Sequence, residues 1–192
     1  MSNATQTTQP LINGVDRDKL FQTIGQLKAS PGLAKFRFKI RNEWVDCGHN
    51  RSTVKAFHGA STDIEHATEF VLDADEPEIL LGTDKGANPV EYLLHALAAC
   101  VTSAMVYHAA AKGITIDEVE SSIDGDIDLR GFLGLDENVR NGYEQIRMKF
   151  KIKANVPDDQ LQELCMMGPR YSPVFDSITK GVPVKVSAER MS

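Results

Sequence analysis

The longest run of apolar positions in the chain covers residues 88–113 and predicts one long helix. Pro89 suits the first helical position, where its missing N–H costs nothing, and Gly113 follows as a C-terminal stop. Ala and Leu occupy nearly every face, and a helix of this kind needs cover on all sides. Because Glu91 and His95 interrupt the run, we expect the core helix of a soluble protein rather than a membrane span.

Shorter patterns before this helix predict an amphipathic helix followed by strands. Asp16 is a candidate N-cap for a helix over Arg17–Ala29, in which apolar residues recur at helical spacing. Alternation of apolar and basic residues over positions 36–40 predicts a half-buried strand. Further strand candidates cover residues 52–58, residues 66–73 and a short piece at residues 79–81. The polar stretch 82–88 is expected to be a flexible approach to the central helix.

After the central helix, apolar residues recur at every second position. This pattern predicts a long strand over residues 115–129 and an antiparallel partner strand over residues 146–152. Pro157 opens a further helix, which Pro169 is expected to break. A short helical piece over residues 173–179 and a last strand over residues 182–188 are expected to follow. The order of elements predicts an α+β fold with a β-meander, a long buried helix and an antiparallel sheet.

The chain is predicted to have a short tail, an arm and one domain. Residues 1–13 are mostly polar and predict a disordered tail. Residues 14–32 form the helical arm, which packs on the body or on a partner chain. Residues 33–192 contain no linker long enough to divide them, and they are expected to form a single domain.

Composition narrows the classes of function. The 192 residues carry a net charge of −6, which argues against nucleic acid or an anionic membrane as the main partner. The three Cys and five His form no metal-ligand spacing, so neither a metal nor a cofactor is expected. An odd number of Cys, without a signal-like N-terminus, favours free thiols in a reducing cytoplasm.

Cys100, near the middle of the central helix, is the main candidate for chemistry. It is either a small core residue or a nucleophile, and a reactive thiol needs a cation, a helix N-terminus or a metal beside it. Cys100 lies too far along the helix from Pro89 to use the helix dipole, so a cation has to come from another part of the fold. Arg51 is either a solvated turn residue or that cation. Glu91 and Cys165 are likewise either structural residues or parts of a site.

Three stretches of the sequence resemble a known family. NPVEYLLHALAAC, ending at Cys100, resembles the motif that opens the central helix of the OsmC/Ohr family, the osmotically inducible and organic hydroperoxide resistance proteins. FRFKIRNEWVDCGHNRSTVKAFHGA resembles its N-terminal β-meander, and YSPVFDSITKGVPVKV its C-terminal block. The resemblance covers residues 34–188 and implies an OsmC-like fold, an intertwined homodimer in which sheets from both chains enclose two central helices.

The resemblance also implies roles for four residues. Cys100 matches the peroxidatic Cys, whose thiolate attacks an organic hydroperoxide and becomes a sulfenic acid. Arg51 matches the activating Arg, and Glu91 matches the Pro-x-Glu of the OsmC-like branch. In the family a second Cys then forms a disulfide, which a thiol or dithiol reductant reopens. Cys165 is the candidate for that second Cys.

The chain departs from the family at the position of the usual second Cys. The family's Cys-Pro-Val is replaced here by Ser172-Pro173-Val174, and Ser forms no disulfide. Either Cys165 has taken over, or an external thiol resolves Cys100, or the protein is no longer a peroxidase. The resemblance implies a thiol-dependent peroxidase that reduces organic hydroperoxides in oxidative stress defence. The alternative is a non-catalytic dimer that binds a small apolar ligand in its interface pocket.

Overall fold

A computed structural model describes residues 11–191, so residues 1–10 of the predicted tail lie outside the described residues. The chain divides into two compact units inside the long central helix, where the first ends at His95 and the second begins at Ala96. The bounds expected for the tail, the arm and the single domain stay predictions.

Five helices and six strands are described, and they form a mixed α+β fold with antiparallel sheets, as expected. In chain order they are α1 (Arg17–Ala29), β1 (Arg37–Phe38), β2 (Arg41–Asp46), β3 (His49–Gly59), β4 (Thr62–Ala74), α2 (Pro89–Lys112), β5 (Ile116–Asp126), α3 (Leu129–Phe132), β6 (Gln145–Ala154), α4 (Asp158–Tyr171) and α5 (Pro173–Lys180).

Helix α1 has the bounds that its sequence pattern predicts. The Asp16 side chain accepts a hydrogen bond from the backbone N–H of Lys19 at 3.0 Å and caps the helix. No residue of α1 is buried within the described chain. Its apolar residues Leu20, Ile24 and Leu27 are partly covered, and the role of α1 as an arm stays a prediction.

The first sheet is organised around β3, which pairs with β1 and β2 along one edge and with β4 along the other, all antiparallel. Near the hairpin turn Ala56 pairs with Glu65, whereas beyond a bulge Val54 pairs with Phe70. The bulge leaves extra residues of β4 without partners on β3. This shift decides which β4 residues face the N-terminal half of β3.

The second unit contains the predicted antiparallel hairpin and one hydrophobic core. Strands β5 and β6 pair along their whole length, and their charged outer faces form cross-strand ion pairs such as Lys151–Glu120. The core joins Met105 of α2 with Leu164 and Met167 of α4. Apolar residues of the inner face of the hairpin pack against it, because alternate residues of a strand point to the same face.

Helix α2 has the predicted extent, and a single chain covers one face of it. Five of its 24 residues are buried within the chain, namely Leu97, Val101, Met105, Ala109 and Ala110. They recur at helical spacing and mark one face, and the rest of the helix stays partly or fully exposed. Among the described residues, α2 is the one helix long and apolar enough to cross a membrane by length and composition alone.

Three predictions for the first unit and the region after β5 are wrong. The strand over residues 36–40 is not half-buried, since β1 contains two residues and Phe38 is 74% exposed. The piece at residues 79–81 is a 3₁₀ turn over Glu78–Leu80, followed by Leu81 in the left-handed region. The strand after α2 ends at Asp126 instead of position 129, because Asp128 caps the short helix α3.

Two predictions for the C-terminal region are also wrong. Pro169 does not break its helix, which continues to Tyr171. Proline removes one backbone hydrogen bond, but here it lies in the last turn of a helix that is anchored by packing. Residues 182–188 form no strand in the described chain. A strand needs a neighbour for its N–H and C=O groups, and no described strand of this chain pairs with them.

Candidate active site

The loop between β4 and α2 is fixed by one buried carboxylate rather than being flexible as expected. Asp75 is 1% exposed and accepts hydrogen bonds from the backbone N–H groups of Glu76, Thr83 and Lys85 at 2.8, 3.1 and 3.2 Å. The Thr83 hydroxyl donates a fourth bond at 2.7 Å. These bonds, led by that of the Thr83 hydroxyl, lower the pKa of Asp75 to about 2. The segment that leads into α2 is thereby held in one conformation.

The start of α2 is closed by a reciprocal cap in which Glu91 takes part. The Asn88 side chain accepts a hydrogen bond from the N–H of Val90 at 2.9 Å, and the Glu91 carboxylate accepts one from the N–H of Asn88 at 2.9 Å. This is the arrangement of a capping box. The Asn88 amide also donates to Glu76. Glu91 therefore has a structural task at the helix N-terminus.

Arg51 lies in a hydrogen-bonded network on the first sheet. It is directly opposite Asp73 on β4, and its Nε and Nη2 donate to the two oxygens of that carboxylate at 2.9 and 3.3 Å. Nε2 of His49 lies 2.7 Å from Oδ1 of Asp73. The Asp73 carbonyl accepts a hydrogen bond from the Tyr92 hydroxyl at 2.7 Å. The network links Arg51 to the first turns of α2.

The electrostatics of this network favour an ionised Asp73. The Arg51 guanidinium first, and His49 second, hold the pKa of Asp73 below its ordinary value. Arg51 itself is about half exposed, with 51% of its side-chain surface accessible. Part of the Arg51 side chain is thus accessible to solvent.

In the second unit, Cys100 lies beside the buried face of α2 and is partly accessible. Its neighbour Val101 is fully buried against α4, where the absence of a side chain at Gly168 lets the two helices approach closely. Tyr171 of α4 stacks on His108 of α2 with ring centroids 3.6 Å apart. The packing of α4 therefore fixes the half of α2 that carries Cys100.

Cys165 lies in α4, and Ser172 follows at the C-terminal end of that helix. Cys165 has a free thiol whose pKa is raised by burial. Ser172 is 2% exposed, and its hydroxyl accepts a hydrogen bond from the N–H of Phe175 at 3.1 Å. It is the N-cap of α5, a position that serine fills well. The residue that replaces the usual second Cys thus has a structural role.

In a comparison with sequence models of protein families, residues 82–187 match the model of OsmC-like protein. The chain belongs to the OsmC-like protein family. The matched segment contains Glu91, Cys100, Cys165 and Ser172, while Arg51 lies before it. The family assignment confirms the resemblance inferred from the sequence motifs. No curated protein matches the chain.

Solved OsmC-like structures share the fold at low sequence identity. An OsmC-like protein from Mycoplasma pneumoniae is 20% identical, with a TM-score of 0.57 over 74% of this chain and 87% of that one. A protein from Legionella pneumophila described as an organic hydroperoxide resistance protein OsmC is 15% identical, with a TM-score of 0.52 over 77% and 94%. An OsmC-like protein of unknown function from Vibrio cholerae is 9% identical, with a TM-score of 0.52 over 73% and 92%.

The four predicted site residues of this OsmC-like protein are divided between the two units. Arg51 and Glu91 belong to the first unit, and Cys100 and Cys165 to the second. Sequence reasoning did not find Asp73, although it faces Arg51 across the sheet. The cap formed by Glu91 had a signal in the sequence, because Asn followed three residues later by Glu is a capping pattern.

Proposed function

We propose that this OsmC-like protein is a thiol-dependent peroxidase that reduces organic hydroperoxides with Cys100 as nucleophile. The observation that carries the proposal is the free, partly accessible thiol of Cys100 in the middle of the central helix of an OsmC-like fold. The fold shared with a protein described as an organic hydroperoxide resistance protein adds support. A cysteine used only for packing would have been expected within the buried face of α2.

In the proposed reaction, the Cys100 thiolate attacks one oxygen of the hydroperoxide and the O–O bond breaks. The alcohol leaves after taking up a proton, and the cysteine becomes a sulfenic acid. A positive charge beside Cys100 would stabilise both the thiolate and the developing alkoxide. An external thiol then attacks the sulfenic sulfur and releases water, and a second thiol frees Cys100 by thiol–disulfide exchange.

We assign the resolving step to an external thiol or dithiol instead of Cys165. Burial raises the pKa of Cys165, so that less of it is present as the attacking thiolate at neutral pH. Ser172 supplies no thiol and is occupied as a helix cap. Free thiols at all three cysteines fit a reducing cytoplasm, which is the location we propose.

The proposal includes a homodimer. Exposed apolar side chains occur on both units, among them Phe38 of β1, Tyr107 of α2 and Val184 beyond α5. Large exposed apolar side chains can mark an interface, and a second copy of the chain would cover the exposed faces of α2. Light scattering on the purified protein tests this, and a monomer at micromolar concentration would contradict it.

The peroxidase is tested by adding stoichiometric cumene hydroperoxide to the reduced protein, with intact mass and peptide mapping as the readout. Fast oxidation at Cys100, trapped by an added thiol and unchanged by Cys165→Ser, is the expected result. Cys47→Ser is the matched control, because Cys47 is an exposed thiol on a turn of the first unit. A Cys100–Cys165 disulfide would reassign the resolving step. A reduced Cys100 in excess peroxide would refute the peroxidase and favour a ligand-binding dimer.

A further inference from the structure

We propose that residues 182–188 of one copy of the chain pair, as an added strand, with the free edge of β5 in a second copy. The proposal deepens the homodimer that is part of the proposed function, and it is independent of the chemistry at Cys100. It concerns the second unit alone, since the segment and β5 both belong to that unit.

The segment has the pattern of a strand, yet it lies exposed in the single chain. Val182, Val184 and Val186 occupy alternate positions, as in a strand with one apolar face. Their side chains are 59, 79 and 90% exposed, so the segment gains little cover from its own chain. Valine favours strand geometry, and a strand needs a neighbour for its N–H and C=O groups. A second copy of the chain can provide that neighbour.

Pro183 decides which edge of the segment can form backbone hydrogen bonds. The N–H groups of successive strand residues point to opposite edges, and proline has no N–H, so the edge that contains Pro183 faces solvent. The N–H groups of Val184 and Val186 then point to the other edge and can donate to a neighbouring strand. The segment therefore suits the outermost position of a sheet, where one edge stays unpaired.

The hairpin of β5 and β6 offers a regular edge to such a strand. The two strands form a two-stranded sheet in the described chain, so each has one edge without a strand neighbour. Their pairing is in continuous register from Glu118 to Asp126 of β5, whereas β2 and β4 pair with β3 across irregularities. An exposed and regular edge is a template for an added strand.

The two edges of the hairpin differ in charge. The outer faces carry Glu118, Glu120, Asp124 and Asp126 on β5, and Arg147, Lys149, Lys151 and Lys153 on β6. Lys185 is the one charged residue of the segment. Beside β5 it meets carboxylates, whereas beside β6 it would meet like charges, which is unfavourable. Two β5 edges that paired with each other would also bring like charges together. The charges thus favour the segment as the strand that pairs with β5.

The faces of the added strand match those of the hairpin. When the valines continue the apolar inner face, where Val119 packs on the core, Lys185 lies on the outer face, because side chains alternate along a strand. It then pairs with Glu120, near the middle of β5. The Glu120 side chain is 70% exposed although it contacts Lys151 at 3.2 Å, and a carboxylate accepts more than one hydrogen bond. The segment is shorter than β5, which has 11 residues, so its whole length fits.

The first test exchanges the two charges between chains, with Lys185→Glu in one chain and Glu120→Lys in the other. Each variant alone places like charges at both contacts of its dimer, and we expect its dissociation constant, measured by sedimentation, to rise about 2- to 10-fold. In an equimolar mixture both contacts of the heterodimer are complementary. The ratio of heterodimer to homodimers, read by native mass spectrometry with one chain labelled with ¹⁵N, should rise from the statistical 1:1 by about the same 2- to 10-fold.

The control for the charge exchange is Arg190→Glu, which reverses an exposed charge beyond the segment. It should leave the dissociation constant within about twofold of the wild type. Weakened dimers of Lys185→Glu and Glu120→Lys without enrichment of the heterodimer would assign the contact to one chain and overturn the proposal. Wild-type dissociation constants in both variants would overturn it as well.

The second test uses proline to remove single N–H groups. Val186→Pro removes an N–H that points to β5, and we expect the dissociation constant to rise at least about tenfold. Ser187→Pro, the matched control, removes an N–H that points to solvent, as that of residue 183 would, and should change the constant less than about twofold. Equal effects of the two prolines would refute pairing through the edge that contains the valine N–H groups.

Hydrogen exchange reads the same contact without a substitution. The peptide that contains residues 182–188 should exchange its amide hydrogens at least about tenfold more slowly in the concentrated dimer than in dilute, monomeric protein. Unprotected amides in a protein that is dimeric by light scattering would refute the added strand and leave the homodimer intact. A monomeric protein would refute both, whereas the reaction of Cys100 with hydroperoxide tests the peroxidase separately.

Discussion

Gly168 lets α4 approach the backbone of α2, and an added methyl group tests that contact. A Cβ at this position would lie 2.7 Å from both Cγ1 and the carbonyl oxygen of Val101. Ordinary contacts begin at 3.4 Å, so the helices would have to separate by about 0.7 Å, the difference between these distances. The carbonyl oxygen belongs to a helix backbone and has no rotamer with which to move aside. Gly168→Ala should therefore destabilise the second unit.

The magnitude follows from two opposing effects. Overpacking of a core costs about 1–3 kcal/mol, and alanine in place of glycine inside a helix recovers about 0.8–1.0 kcal/mol. We expect a net loss of about 1 kcal/mol in the free energy of unfolding, the middle of the resulting range of about 0–2 kcal/mol, or about 2–4 °C in Tm for a chain of this size. Thermal unfolding followed by circular dichroism measures this change in Tm. All variants are compared at one protein concentration, because oligomerisation makes Tm depend on concentration.

Gly25→Ala is the matched control for Gly168→Ala. Gly25 is also inside a helix, α1, but a methyl group added to it would have no heavy atom within 4 Å beyond its own stretch of helix. The substitution should leave Tm unchanged or raise it slightly, because only the helix preference for alanine acts there. A Gly168→Ala protein with a Tm at or above that of the wild type would refute the close approach of α4 to α2.

Two further predictions concern single hydrogen-bonded side chains. Ser172→Ala removes the cap of α5 and should lower the free energy of unfolding, measured by urea titration, by about 1 kcal/mol. Substitution of the exposed Ser177 by Ala should change it by less than about 0.5 kcal/mol. Equal stability of the two variants would contradict the capping role. The pKa of Asp75 is lowered from 3.8 to about 2 in the folded protein, so its contribution to stability is present above pH 3.8 and is lost as the pH falls toward about 2. Asp75→Asn should lower Tm at neutral pH and reduce the fall of Tm between pH 3.8 and about 2, compared with an Asp84→Asn control. The same fall of Tm in both variants would contradict a stabilising role of the Asp75 carboxylate.

Much of the fold could be predicted from the sequence because its signals are local. The cap at Asp16, the proline at the start of α2 and the alternation along β5 and β6 each involve residues within one element. The family motif around Cys100 belongs to the same kind of information, since it is read along one helix. The helices, the hairpin and the main candidate residue were therefore accessible without coordinates.

The failures share a non-local cause. Pro169 is a helix breaker by preference, yet α4 continues past it because Gly168 and the residues around it pack on α2. The valines after position 181 have a strand pattern, but a strand also needs a neighbouring edge, and no described strand of the same chain pairs with them. The preference of a residue for helix or strand contributes little free energy, and packing or the lack of a pairing partner overrides it.

The pairing of Arg51 was decided by tertiary structure alone. The register near the hairpin turn, in which Ala56 faces Glu65, would have placed Phe70 opposite Arg51 if it had continued. The bulge between Val54 and Ala56 shifts β4 so that Asp73 takes that place. The sequence by itself determined most of the helices and strands and the position of the candidate thiol, Cys100. Only the folded sheet decided which carboxylate meets the arginine, because strand register depends on contacts between segments and no residue pattern within one strand specifies it.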